Sequence, residues 1–209
     1  MSQIKNIIFD LGGVILNINY QLTIDAFKKL GFHNFDDFYT QKKQSSLFNN
    51  FETGKLSVSD FYQYIKANCP KKIDNNEIKS AWNAMLLDLP LNRLEFLEKI
   101  NKSHQLYLLS NTNEVHITEF KNIINENVGY DRFVAAFKKC YYSSEIGLRK
   151  PNESCFRYVL EKNKLLANET LFIDDSIQHI KGASSIGIKS YLLDPSSEDI
   201  VRVVPDIIQ

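Results

Sequence analysis

Four short polar stretches each follow an apolar run and carry side chains able to do chemistry. They are Asp10-Leu11-Gly12-Gly13, Ser110-Asn111-Thr112, Gly147-Leu148-Arg149-Lys150-Pro151 and Asp174-Asp175-Ser176. Each has a plain reading: a tight turn, a helix N-cap, a solvated lysine, a capped helix start. The acidic pair fits its plain reading worst, because adjacent carboxylates repel and one cap needs only one of them. Taken together the stretches offer a carboxylate nucleophile, hydroxyl and amide donors, a cation and a pair of hard-oxygen ligands. Phosphoryl transfer requires this set. A carboxylate approaching a phosphate dianion meets a repulsion of about 4 kcal/mol per unit-charge pair at about 4 Å and an effective dielectric near 20. A lysine and a divalent cation reverse that sign, and carboxylate oxygens suit Mg²⁺.

The elements that must position these groups are legible from periodicity. Apolar runs at 4–9, 105–109, 138–142, 170–173 and 190–193 read as strands buried on both faces, the mark of a parallel sheet. Helical patterns lie between the last four. One starts near Asn113 and buries Val115, Phe120, Ile123 and Ile124. A second opens with Pro151 in its first turn and lines up Phe156, Val159 and Leu160; a third follows Asp175 and stops at Gly187. Alternating strands and helices predict an α/β fold, a Rossmann-like doubly wound parallel sheet. The polar stretches then fall at the carboxyl ends of its strands, where such sheets bind ligands.

About ninety residues separate Asp10 from Gln105, where a crossover needs about a dozen. The excess is helical in pattern. Ile24, Phe27 and Leu30 share a face that ends at Gly31, and Ser57 and Asp74 are N-caps with Asp60 and Glu77 three residues on. Ile78, Trp82, Met85 and Leu86 form another stripe, and Pro90 marks the return. The expected division is a catalytic core of residues 1–16 and 88–209 with an inserted helical cap at 17–87.

The bulk properties restrict the partners. The 209 residues carry 25 Lys plus Arg against 25 Asp plus Glu, so no basic excess points to nucleic acid. Ile7-Ile8-Phe9 is too short an apolar run for a signal peptide or membrane span. Cys69, Cys140 and Cys155 are widely spaced and odd in number, as expected of reduced thiols, and a cytoplasmic location follows as the expectation. His33, His104, His116 and His179 make no metal-ligand spacing.

The ordered set of stretches resembles the haloacid dehalogenase superfamily over the whole chain. Phe9-Asp10-Leu11-Gly12-Gly13-Val14, Asn83-Ala84-Met85-Leu86 and Gly147-Leu148-Arg149-Lys150-Pro151 are similar to one branch of it. That branch holds the phosphatase domain of soluble epoxide hydrolases and sugar-1-phosphate phosphatases. The resemblance implies a Mg²⁺-dependent phosphatase acting on a small-molecule phosphate ester. Asp10 would attack phosphorus to form an aspartyl-phosphate. Gly12 would offer its carbonyl to the metal, and Ser110 and the Asn111 amide would hold the phosphoryl group. Lys150 would bridge that group and Asp10. Asp175 would bind the metal directly, with Asp174 in its outer shell.

One departure matters. Most phosphatases of the superfamily carry a second Asp two residues after the nucleophile as general acid and base; Gly12 stands there in this chain, and Asn17 and Asn19 cannot replace it. General acid catalysis contributes about 10²–10⁴-fold, roughly 3–5 kcal/mol of barrier. The expected substrates are therefore esters whose leaving group departs unaided, such as anomeric, enol, aryl or acyl phosphates. The alternative is a catalytically impaired binding or regulatory protein. A carbon–halogen hydrolase would need no metal, which the Asp174-Asp175 pair argues against. A receiver domain would place its acidic pair on the first strand. Tyr20, Phe51, Glu52 and Trp82 are the cap's candidates to face the site, with Glu52 beside Thr53-Gly54 in an expected turn.

Overall fold

The computed structural model describes residues 3–35 and 46–208. Part of the predicted cap, residues 36–45, lies outside them, as do Met1, Ser2 and Gln209. Among the described residues, five parallel strands form one sheet in the order β3-β2-β1-β4-β5. They are β1 (Asn6–Phe9), β2 (Gln105–Ser110), β3 (Lys139–Tyr142), β4 (Thr170–Asp174) and β5 (Lys189–Leu192).

The sheet is apolar on both faces because its central strands are buried on both. Ile7 and Phe9 join Leu106, Leu108, Leu171 and Ile173 in one cluster, while Ile8 joins Tyr107, Leu109 and Phe172 in another. Each such side chain contributes roughly 1.5–3 kcal/mol on burial. The first face is covered by α5 (Leu91–Ile100), α6 (Glu114–Asn127), α7 (Tyr130–Ala135) and α11 (Ile200–Ile207). The second is covered by the short α8 (Ser143–Ile146), α9 (Glu153–Asn163) and α10 (Ile177–Ser184). Register aligns the strand tips: Phe9 pairs with Leu108 and with Ile173, so Asp10 falls level with Asp174.

Between β1 and α5 the chain builds a second apolar cluster from α1 (Tyr20–Lys29), α2 (Ser46–Glu52), α3 (Val58–Asn68) and α4 (Asn75–Asn83). Local signals set their ends. Ser57 accepts from the Asp60 N–H, Asp74 and Glu77 close a reciprocal capping box, and Gly31 follows α1 at φ 98°. Aromatic stacking fills the interior, with Phe27 on Phe35, Phe48 on Trp82 and Phe51 on Phe61. An antiparallel bridge between Ile18 and Leu86 joins the outgoing and returning segments.

Three expectations need correction. β5 is an edge strand with half-exposed residues, so it is not buried on both faces. Pro151 does not open a helix; it sits in a turn after a cis peptide with Lys150, and α9 begins at Glu153. Met85 and Leu86 lie beyond α4, because Met85 is drawn into the returning segment by bonds to Thr23 and Asn19. Among the described residues no helix is long and apolar enough to cross a membrane. Cys69, Cys140 and Cys155 are free, and burial pushes the Cys140 and Cys155 thiols up to about 11 and about 12, away from reactive thiolate.

Candidate active site

Asp10 follows β1 at the point where the strand order reverses, the position at which doubly wound sheets place their ligands. Lys150 crosses to it from the loop after β3. Its Nζ lies 2.8 Å from Asp10 Oδ1 and 2.7 Å from Asp174 Oδ2, and the side chain is fully buried. Burial alone would lower the lysine, but Asp10 and Asp174 outweigh it and hold the ammonium above its ordinary range. Burial likewise works against the Asp174 carboxylate, yet Lys150 and His179 outweigh it and hold that carboxyl at about 2. Asp10 goes the other way. Burial, helped by Asp174 and Asp175 and opposed by Lys150, pushes it up to about 7.

Asn111 fixes the lysine loop. Its Oδ1 accepts from the Lys150 N–H at 2.9 Å and its Nδ2 donates to the Lys150 carbonyl at 2.9 Å. The Asn111 side-chain amide thus clasps the backbone of the lysine loop, while the residue also lines the cavity. Ser143 makes a similar clasp on Thr112, donating to its carbonyl at 3.0 Å and accepting its N–H at 2.8 Å. Ser110 is buried and lines the same cavity as Asp10.

Asp174 and Asp175 divide their roles. Asp174 is fully buried, and its carboxylate accepts from Lys150, from the Ser176 N–H and from His179 Nδ1 at 2.9 Å. Asp175 faces the cavity, its Oδ2 against Gly13 at φ 77°, where a Cβ would come within 2.5 Å of it. Gly13 thus gives both the left-handed turn and the room for that carboxylate. Gly12 sits in the wall beside Ile18, whose Cδ1 lies 3.0 Å from where a Cβ at position 12 would stand. An apolar side chain crowds the place where an acid at position 12 would begin.

His179 is the residue that sequence reasoning missed. Its Nδ1–H donates to Asp174, and Asp10, Asp174 and His179 place possible ligand atoms within 4.8 Å of one another. The available signal was its place in the third residue of α10, from which a side chain reaches back over the helix start. Gly182, later in that helix, packs against the lysine loop; a Cβ there would stand 2.2 Å from the Pro151 carbonyl oxygen.

The cap candidates separate. Tyr20 and Glu52 line the cavity, whereas Phe51 and Trp82 are buried in the aromatic cluster. Glu52 is the last residue of α2, directly before the turn at Thr53-Gly54, and its carboxylate pairs with Arg149 at 2.9 Å. His116 stacks on Trp82 and lines the cavity as well. Asn113 Oδ1 accepts from Trp82 Nε1 and the His116 N–H, which turns its Nδ2 donor towards His116 Nδ1. Nδ1 must then be an acceptor, with Nε2–H donating to the Trp82 carbonyl at 3.1 Å. Burial pushes His116 down to about 4.

An acid-linked loss of stability follows. The unfolded chain takes up this proton near pH 6.5 and the folded chain only near pH 4, so stability is full above that window and falls as pH drops through it. Between pH 7.5 and 5 the His116 contribution is about 2 kcal/mol. Urea midpoints should show that difference between wild type and His116→Gln, whose amide can make the same two bonds; equal slopes would refute it.

A carboxylate at the tip of the central strand, bridged by a buried lysine to the first of two adjacent aspartates, defines a carboxylate-centred site at the switch point of a doubly wound sheet. The chain belongs to the haloacid dehalogenase-like hydrolase family, which it matches over residues 7–193. It is 31% identical to the D-ribitol-5-phosphate phosphatase of Bacteroides thetaiotaomicron, covering 90% of this chain and 91% of that one. It is 25% identical to a sesquiterpene phosphatase of Aspergillus oryzae, over 88% and 87% of the two chains. A family enzyme from Bacteroides thetaiotaomicron, solved with magnesium and inorganic phosphate, superposes with a TM-score of 0.83 at 33% identity over 93% of this chain and 96% of that one. A predicted family hydrolase from Porphyromonas gingivalis superposes at 0.88 with 25% identity over 100% and 99%.

Proposed function

We propose that this chain is a magnesium-dependent phosphatase of small phosphorylated metabolites, with Asp10 as nucleophile and residues 17–87 as the cap over a core of 1–16 and 88–209. One observation carries the reading: Lys150 bridges Asp10 and Asp174 at the sheet's rim, and Asp175, next in the chain, adds its charge to Asp10. Three carboxylates against one ammonium leave negative charge that a divalent cation offsets, and the donors are hard oxygens. The fit to Mg²⁺ rests on that donor set: Asp10, Asp175 and the Gly12 carbonyl would hold the ion, with Asp174 behind them. The ion supplies charge neutralisation at the phosphoryl oxygens. The phosphatase names of the relatives and the magnesium–phosphate complex of the similar enzyme support the same reading.

In the proposed reaction an Asp10 oxygen bonds to phosphorus as the ester P–O bond breaks, and the leaving oxygen takes its proton from water. Water then attacks phosphorus, frees inorganic phosphate and restores the carboxylate. Lys150 holds Asp10 in position and offsets charge, while Ser110 and the Asn111 main-chain N–H face the phosphoryl oxygens. With Gly12 next to apolar Ile18, no side chain there donates a proton to the leaving group, so sugar-1-phosphates and other esters with good leaving groups suit the site best. Hydrolysis should require Mg²⁺, and kcat/KM should fall steeply as leaving-group pKa rises across aryl, anomeric and alkyl phosphates. A flat dependence would remove the leaving-group argument. Binding of magnesium and phosphate without hydrolysis of any ester would favour the impaired binding protein instead.

A further inference from the structure

We infer that Glu52 and Arg149 form the subsite for the carbon skeleton, and that it takes an uncharged, hydroxyl-bearing skeleton and turns away one with a second anionic group. The inference rests on the phosphatase reading above. The pair joins the two apolar units of the fold: Glu52 ends α2 and Arg149 directly precedes Lys150. Arg149 Nη2 lies 2.9 Å from Glu52 Oε2, and its Nη1 donates to Asn49 Oδ1. Both residues line the cavity that holds Asp10. That cavity is small, about 80 Å³. A single sugar or short polyol suits such a space better than a long hydrocarbon.

The charges of the pair cancel. Glu52 and Arg149 are matched at contact distance, and the hydrogen bonds of Asn113 keep His116, another lining residue, neutral. These three lining residues are therefore polar without net charge. Arg149 Nε is enclosed and has no hydrogen-bond partner among the described residues, so the guanidinium meets the cavity through its other atoms. A hydroxyl can accept from that guanidinium and donate to the Glu52 carboxylate, so it suits both residues. A ligand carboxylate or second phosphate gains nothing from an arginine already matched and is repelled by Glu52.

The test compares three esters whose leaving groups all depart readily: para-nitrophenyl phosphate, glucose 1-phosphate and phosphoenolpyruvate, each with Mg²⁺. The readout is the ratio of kcat/KM for glucose 1-phosphate to that for phosphoenolpyruvate, which does not depend on the fraction of active protein. Wild type should favour the sugar ester by about tenfold or more. Glu52→Gln strands the Arg149 charge, so the ratio should fall at least tenfold, with phosphoenolpyruvate gaining in absolute kcat/KM. The double variant Glu52→Gln with Arg149→Met leaves no stranded charge; it should lose the sugar preference without that gain. An unchanged ratio in either variant, or a wild type indifferent between the two esters, overturns the subsite while hydrolysis of the aryl ester keeps the phosphatase reading. A wild type inert towards all three esters overturns the phosphatase reading itself, and the subsite with it.

Discussion

Asp10→Asn should lower kcat on an aryl phosphate by on the order of 10⁴-fold or more, the scale that follows removal of an essential nucleophile. An amide of the same shape cannot open the phosphoenzyme route, whatever else in the site stays in place. The same substitution should leave the metal-free fold as stable as wild type or more so. Asp10 is nearly buried, and Asp174 and Asp175 both disfavour its charge. Lys150 keeps Asp174 as its partner when Asp10 is neutral. A catalytic group that weakens the empty fold is the usual trade between function and stability. Steady-state rates with Mg²⁺ and urea midpoints without it measure the two halves, and activity surviving in Asp10→Asn would end the assignment of the nucleophile.

Lys150→Met should have the opposite balance, abolishing activity and destabilising the protein by about 3–5 kcal/mol, as expected when one partner of a buried ion pair is removed. Its ammonium is fully buried and lies within 2.8 Å of two carboxylates. The methionine fills much of the space but leaves Asp174 with only His179 and the Ser176 N–H as donors. Adding Asp10→Asn to Lys150→Met should restore part of the lost stability, because it removes one of the two stranded charges. Denaturant midpoints of the two single variants and the double variant close the cycle. A Lys150→Met protein as stable as wild type would show that the lysine is not what holds the carboxylates together.

Much of this arrangement was legible along the chain because the fold repeats one local rule. Asp10, Ser110 and Asp174 each end a run of buried residues, so a short apolar stretch followed by a polar residue marked three strand tips. Lys150 was marked by its neighbours in Gly147-Leu148-Arg149-Lys150-Pro151 and not by periodicity. What escaped notice depends on contacts between segments far apart in sequence. Glu52 was marked by the turn beside it, but its pairing with Arg149, 97 positions away, leaves no local trace. His179 looks unremarkable until the turn after Asp174 brings its ring back over the strand end. The start of α9 was misplaced because Pro151, a good first-turn residue, is held in the turn that presents Lys150. Trp82 and Phe51 take the usual place of aromatic residues at helical spacing and fill the cluster between the helices.

Gly182 has a bearing on how such a site is kept in alignment. With no side chain, α10 can lie directly on the Pro151 carbonyl, and Phe156 is near enough to stop it sliding aside. A single methyl group at this point would act as a wedge, prising the segment that carries Asp175 and His179 away from the one that carries Lys150. The separation between the acidic and the basic half of the centre is thus gauged by an atom that is missing, seven residues beyond Asp175.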